Sequence, residues 1–166
     1  MQNKKLTYTV EEAKRKLERY CTYQDRCHKE IEQKLYEMRM IPEACELILL
    51  HLIEHNFLNE ERFSKSFSRG KFRIKNWGKQ RIIRELKQKN ISAYNIETAL
   101  KEIDIEEYFS TLQHLAQKKW EIIPEKDIYK KRKKVIDFLM RKGFESNLIY
   151  EEINQIMANH KIDKQH

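Results

Sequence analysis

Apolar residues recur along this chain at spacings of three and four, and strict two-residue alternation is not sustained anywhere. That pattern predicts amphipathic helices and no strands. Helix punctuation divides the chain into about nine segments. Thr9, followed by Glu12, has the form of a capping box, and Pro42 suits a first helical position. Asn59, Asn76, Ser92 and Asp104 are each placed to cap a helix start. Asn90 and Gly143 stand where helices should end, since both tolerate the left-handed backbone needed there.

The apolar positions repeat at longer range. Ile31 and Leu35 are followed by Met40, Cys45 and Leu49; Ile82 and Leu86 are followed at the same offsets by Ile91, Ile96 and Leu100. Val135 and Leu139 are followed, again at those offsets, by Phe144, Ile149 and Ile153. The anchors Leu35, Leu86 and Leu139 lie 51 and 53 residues apart, a period typical of repeat arrays. Each unit reads as a core helix, a turn carrying one apolar plug, and a helix that returns across it. The preceding helices supply further stripes: Ala13, Leu17 and Tyr20; Phe63, Phe67 and Ile74, with Gly70 on the same face; Tyr108, Leu112 and Leu115. The expected fold is therefore all-α, with three tandem three-helix repeats in an elongated, curved array. Residues 1–57 form the first repeat with its N-terminal helix. Residues 58–103 form the second, strongly basic repeat, and residues 104–166 form the third with a polar C-terminal tail.

Composition agrees with helices: the 166 residues include 36% charged and 40% hydrophobic residues, but only 3 Gly and 2 Pro. The N-terminus leads into polar residues rather than an apolar signal segment. The longest aliphatic run, Leu47 to Leu50, ends at His51, far short of a membrane span. Three cysteines at irregular spacing suggest reduced thiols in a cytoplasmic protein rather than a disulfide framework.

Charge changes the picture more. The net +8 is concentrated between Arg62 and Lys89, where eleven basic residues face one acid, Glu85, so the remainder of the chain is net acidic. On a helix Arg62, Lys65, Arg69 and Arg73 share a stripe, separate from the apolar face. In the next helix Arg81, Arg84 and Lys87 point outward, opposite Ile82, Ile83 and Leu86. Phe72 and Trp77 lie between the stripes, where an exposed ring could stack on a base or a partner's side chain. A merely solvated face normally mixes signs, so these residues mark a candidate contact for an anionic partner. A second cluster runs Lys126, Lys130, Lys131, Arg132, Lys133 and Lys134.

Two constellations resemble chemistry. His51-Leu-Ile-Glu54-His55 spells H-x-x-E-H, yet both histidines face away from the apolar stripe and no obvious downstream helix offers both a third ligand and a sheltered cleft, so they read as solvent-facing residues. Cys21, Asp25, Cys27 and His28 match no metal-ligand spacing, and Cys45 fills a core slot. The chain has no Gly-rich phosphate loop and no nucleophile elbow. The acidic pairs lie in first helical turns, where they complement the dipole. No enzyme activity, cofactor or metal is expected.

Leu58-Asn59-Glu60-Glu61-Arg62-Phe63, Gly78-Lys-Gln-Arg-Ile82, Glu85-Leu86 with Lys89-Asn90-Ile91, and Lys142-Gly143-Phe144 together resemble the RecX family, regulators of the RecA recombinase. Asn59 stands where the family usually has Asp, and Asn90 where it has Gly; both replacements keep the capping and left-handed roles. The resemblance runs from about Val10 to Met157. It implies a cytoplasmic protein that lies along the groove of RecA–DNA filaments; a monomer with weak direct contact to DNA is the accompanying expectation. Such a protein restrains the filament's ATPase, strand-exchange and coprotease activities in recombinational repair and the SOS response. A helical DNA- or RNA-binding module acting without RecA is the alternative.

Overall fold

The structure, a computed structural model, describes residues 7–165. Among them the chain forms nine helices and no strand: α1 (Val10–Tyr23), α2 (His28–Glu37), α3 (Pro42–Glu54), α4 (Glu60–Lys75), α5 (Lys79–Gln88), α6 (Ala93–Leu100), α7 (Ile105–Ile122), α8 (Ile128–Lys142) and α9 (Ser146–Asp163). Side-chain oxygens start many of them by accepting backbone N–H groups that have no partner inside the helix. Thr9 accepts from Glu12 at 3.1 Å, Asn59 from Arg62 at 2.9 Å, Ser92 from Asn95 at 3.2 Å and Asp104 from Glu107 at 2.9 Å. Asn76 does the opposite of what its sequence position suggests. Its φ is 55° and its N–H donates to Phe72 O, so it closes α4 rather than opening α5. A short amide side chain suits either end of a helix, which is why sequence alone misplaces it.

The repeat is written most clearly in its turns. Arg39, Asn90 and Gly143 each adopt a left-handed backbone, with φ of 57°, 60° and 96°. Each is followed by an apolar plug whose N–H returns to the anchor leucine: Met40 to Leu35 O at 3.1 Å, Ile91 to Leu86 O at 3.1 Å, Phe144 to Leu139 O at 3.2 Å. This is the hydrogen bond of a Schellman ending, and it drives the plug back onto the helix it leaves.

The chain divides into two compact units, one holding the residues up to Phe67 with Leu86–Ala99, the other Ser68–Glu85 with Leu100 onward. In the first, Ala13, Leu17, Ile31, Leu35, Ile48 and Leu52 are buried together with Cys21. The α3 register differs by one residue from expectation: Ala44, Ile48 and Leu52 are buried, while Cys45 and Leu49 are half-buried beside them. In the second unit the core includes Tyr108, Leu112, Trp120, Val135, Leu139, Phe144, Ile149 and Ile153.

Helix α4 packs through a different face from the one its apolar residues suggest. Phe63, Ser64, Ser68 and Phe72 are buried, whereas Ile74 is 78% exposed and Gly70 looks onto open space. Ser64 and Ser68 are both fully buried. The Ser64 hydroxyl is satisfied by donating to Glu60 O at 2.7 Å.

Candidate anion-binding face

The second unit anchors the start of α5 against the end of α8. Gly78 N–H donates to Lys142 O at 2.7 Å, Gln80 N–H to Gly143 O at 2.9 Å, and the Arg81 guanidinium to Arg141 O at 3.2 Å. The approach is so close that a Cβ on Gly78 would lie 2.3 Å from the Gly143 backbone, and one on Gly143 would lie 2.3 Å from Arg81 Cβ. Tyr108 braces the same point. Its hydroxyl accepts from Lys79 N–H at 3.0 Å and donates to Glu145 at 2.6 Å. Burial and the Glu145 carboxylate hold this phenol well above its ordinary range, so it remains a donor at any physiological pH.

The basic residues divide into those with partners and those without. Arg62 pairs with Asp25 at 2.7 Å and also donates to the carbonyls of Asn56 and Phe57. Lys65 lies 2.9 Å from Glu61, Arg69 3.0 Å from Glu102 and Arg73 3.9 Å from Glu107. The counter-charges missing from the basic stretch are thus supplied by Asp25 and by the acids flanking α4 and opening α7. Arg62 in particular is tied into the turn after α3. Such partly exposed pairs contribute roughly 0.2–1 kcal/mol each, so they steady the stripe without removing its charge.

On α5 the outward set is freer. Arg84 and Lys87 are exposed, one turn apart, and neither side chain has an ion pair or hydrogen bond among the described residues. Arg81 is half-buried and sits 4.1 Å over the Trp77 ring, which Lys71 also approaches at 5.0 Å. Trp77 is half-buried, and serves as a platform for Arg81. Phe72 does not belong in the face. It is 2% exposed, with its ring 5.7 Å from Tyr108, so it packs the core and cannot stack on a ligand.

His55 is exposed, as expected of a solvent-facing histidine, but His51 is not. His51 is half-buried and its Nε2 lies 2.6 Å from Glu18, while His55 Nδ1 donates to His51 O at 2.9 Å. Among the described residues no group of three or more His, Cys, Asp or Glu could hold a metal ion. Burial pushes the Cys21 thiol up to about 11, so it is protonated at neutral pH and a poor nucleophile. No helix of the described residues is long and apolar enough to cross a membrane.

Two features were beyond the reach of sequence reasoning: the Gly78–Gly143 approach and the Tyr108 hydroxyl. The glycines were visible as motif residues, but only the fold shows that they meet.

Helix triplets closed by one repeated turn define a protein of tandem three-helix domains. The profile of the RecX second three-helix domain matches residues 59–100 and that of the RecX third three-helix domain matches residues 106–153, together more than half of the chain. The chain belongs to the RecX family of regulatory proteins. It is similar to the regulatory protein RecX of Clostridium perfringens (29% identity, 79% of this chain and 62% of that protein) and of Enterococcus faecalis (31%, 78% and 49%). It thus spans about half to just under two thirds of these curated relatives. Among solved structures it resembles a regulatory protein RecX (TM-score 0.76, 26% identity, 88% of this chain and 75% of that one). RecX from Lactobacillus salivarius has the same fold (TM-score 0.77, 23% identity, 90% and 97%).

Proposed function

We propose that this protein binds RecA–DNA filaments and restrains their ATPase, strand-exchange and coprotease activities, acting as a cytoplasmic, non-enzymatic monomer in recombinational repair and the SOS response. The observation that carries the reading is the outward face of α5, where Arg84 and Lys87 stand exposed and unpaired in a chain of the RecX family. Arg81, held on Trp77 and on the end of α8, extends that face at a fixed position. A nucleoprotein filament presents a regular row of phosphates and acidic side chains, which an ordered set of cations recognises better than a mobile one. The α4 cations Arg62, Lys65, Arg69 and Arg73 contribute to the field, although their carboxylate partners compete for direct contact.

The test is RecA ATPase on single-stranded DNA with the protein titrated in. Arg84→Ala/Lys87→Ala is expected to raise the concentration for half-inhibition and to lower its salt slope by about one unit per cation removed. Inhibition equal to the parent's would show that α5 is not the working surface. The α8 cluster favours a second reading, a nucleic-acid-binding module acting without RecA, which predicts equal binding to naked strands and to assembled filament.

A further inference from the structure

We infer that Lys126 and the first two turns of α8, with Tyr129 near the helix start, form a separate contact surface for single-stranded nucleic acid. Tyr129 is 77% exposed and its ring makes no ring contact among the described residues. Lys126 and Lys130 flank it, both exposed, and neither side chain has an ion pair or hydrogen bond among the described residues. Lys133, one turn beyond Tyr129, has a 78% exposed side chain tied only to Asp137 on its own helix.

The rest of the cluster is engaged elsewhere. Lys131 lies 5.0 Å over the Trp120 ring, Arg132 lies 5.6 Å over Tyr150, and Lys134 pairs with Glu125 at 3.0 Å. The fold therefore sorts one run of basic residues into an anchored set and a freer set, and the freer set stands along the chain beside Tyr129, whose ring is uncovered. Cations that follow a phosphate backbone beside a ring that stacks on a base are the two elements of sequence-tolerant single-strand binding. A duplex keeps its base faces stacked and offers the ring nothing. An acidic peptide would engage the lysines but leave the ring unused.

The helix end itself is not the anion site, because Asp127 Oδ1 already accepts the N–H groups of Tyr129 and Lys130. Exposure of a tyrosine alone would mean little. Tyr94, 74% exposed, has no basic residue within four positions of it, and it supports no such reading.

The experiment is fluorescence anisotropy of a labelled oligothymidine with the whole chain and no RecA. Binding is expected at low salt, with Tyr129→Ala lowering affinity roughly tenfold and Tyr129→Phe retaining it. Lys126→Ala/Lys130→Ala should reduce the salt slope by about 1.4. The inference is overturned by any of four results: no binding by the parent, parental affinity in Tyr129→Ala, a loss in Tyr129→Phe as large as in the alanine variant, or competition by polyglutamate as effective as by unlabelled oligothymidine. Because the assay contains no RecA, its failure leaves the filament reading standing, and unaltered RecA inhibition in the α5 variant leaves this one standing.

Discussion

The ring of Tyr108 packs between those of Phe72 and Phe144, 5.7 and 5.2 Å away, and its hydroxyl links Lys79 N–H to the Glu145 carboxylate. Tyr108→Phe keeps the rings and removes the link. The expected cost is about 1–2 kcal/mol, as for a hydrogen bond to a charged group that is partly solvated, measurable as a lower urea midpoint with an unchanged slope. The sequence shows Tyr108 only as one member of an apolar stripe, since spacing reports which face a side chain takes and not what its polar tip meets. The same limit explains Phe72, whose neighbourhood of arginines suggested a surface ring although it is buried. It also explains Ser64 and Ser68, which an apolar pattern passes over although both are fully buried.

Elements were far more legible. The anchors Leu35, Leu86 and Leu139, with their plugs Met40, Ile91 and Phe144, recur in the structure as three copies of one turn. Asn90 and Gly143 reveal that turn through residue type, but Arg39 occupies the same left-handed position without any such mark. The α4 face differs from the apolar pattern because that pattern counts Ile74, which is exposed, and passes over Ser64 and Ser68, which are buried. The α5 start was recognisable by its glycine, and its purpose lay in a segment 65 positions further along, Gly143. Gly78→Ala should therefore do more than stiffen a loop. A methyl placed 2.3 Å from backbone atoms forces α5 away from α8, at an expected cost of about 3 kcal/mol read from thermal or urea unfolding.

At the scale of the whole molecule, formal charge overstates what is available for binding. Eleven basic residues lie between Arg62 and Lys89, yet Arg62, Lys65, Arg69, Arg73 and Lys89 have carboxylates within 4.0 Å. The sequence could not show this, because Asp25, Glu30 and Glu102 come from distant positions. If RecA–DNA filaments are bound through this stretch, as proposed, that binding should depend on salt much less steeply than eleven phosphate contacts would require, a difference that titrations at several salt concentrations resolve. The docking of α5 on α8 has a consequence of another kind. Helices normally end in unpaired amides at one terminus and unpaired carbonyls at the other, and each terminus frays by itself. Here amides at the start of one helix satisfy carbonyls at the end of another, with both backbones held together by two glycines. Neither end can open without exposing the other, so the start of α5 and the end of α8 should come apart as one cooperative event, steadied further by the Arg81 and Tyr108 side chains.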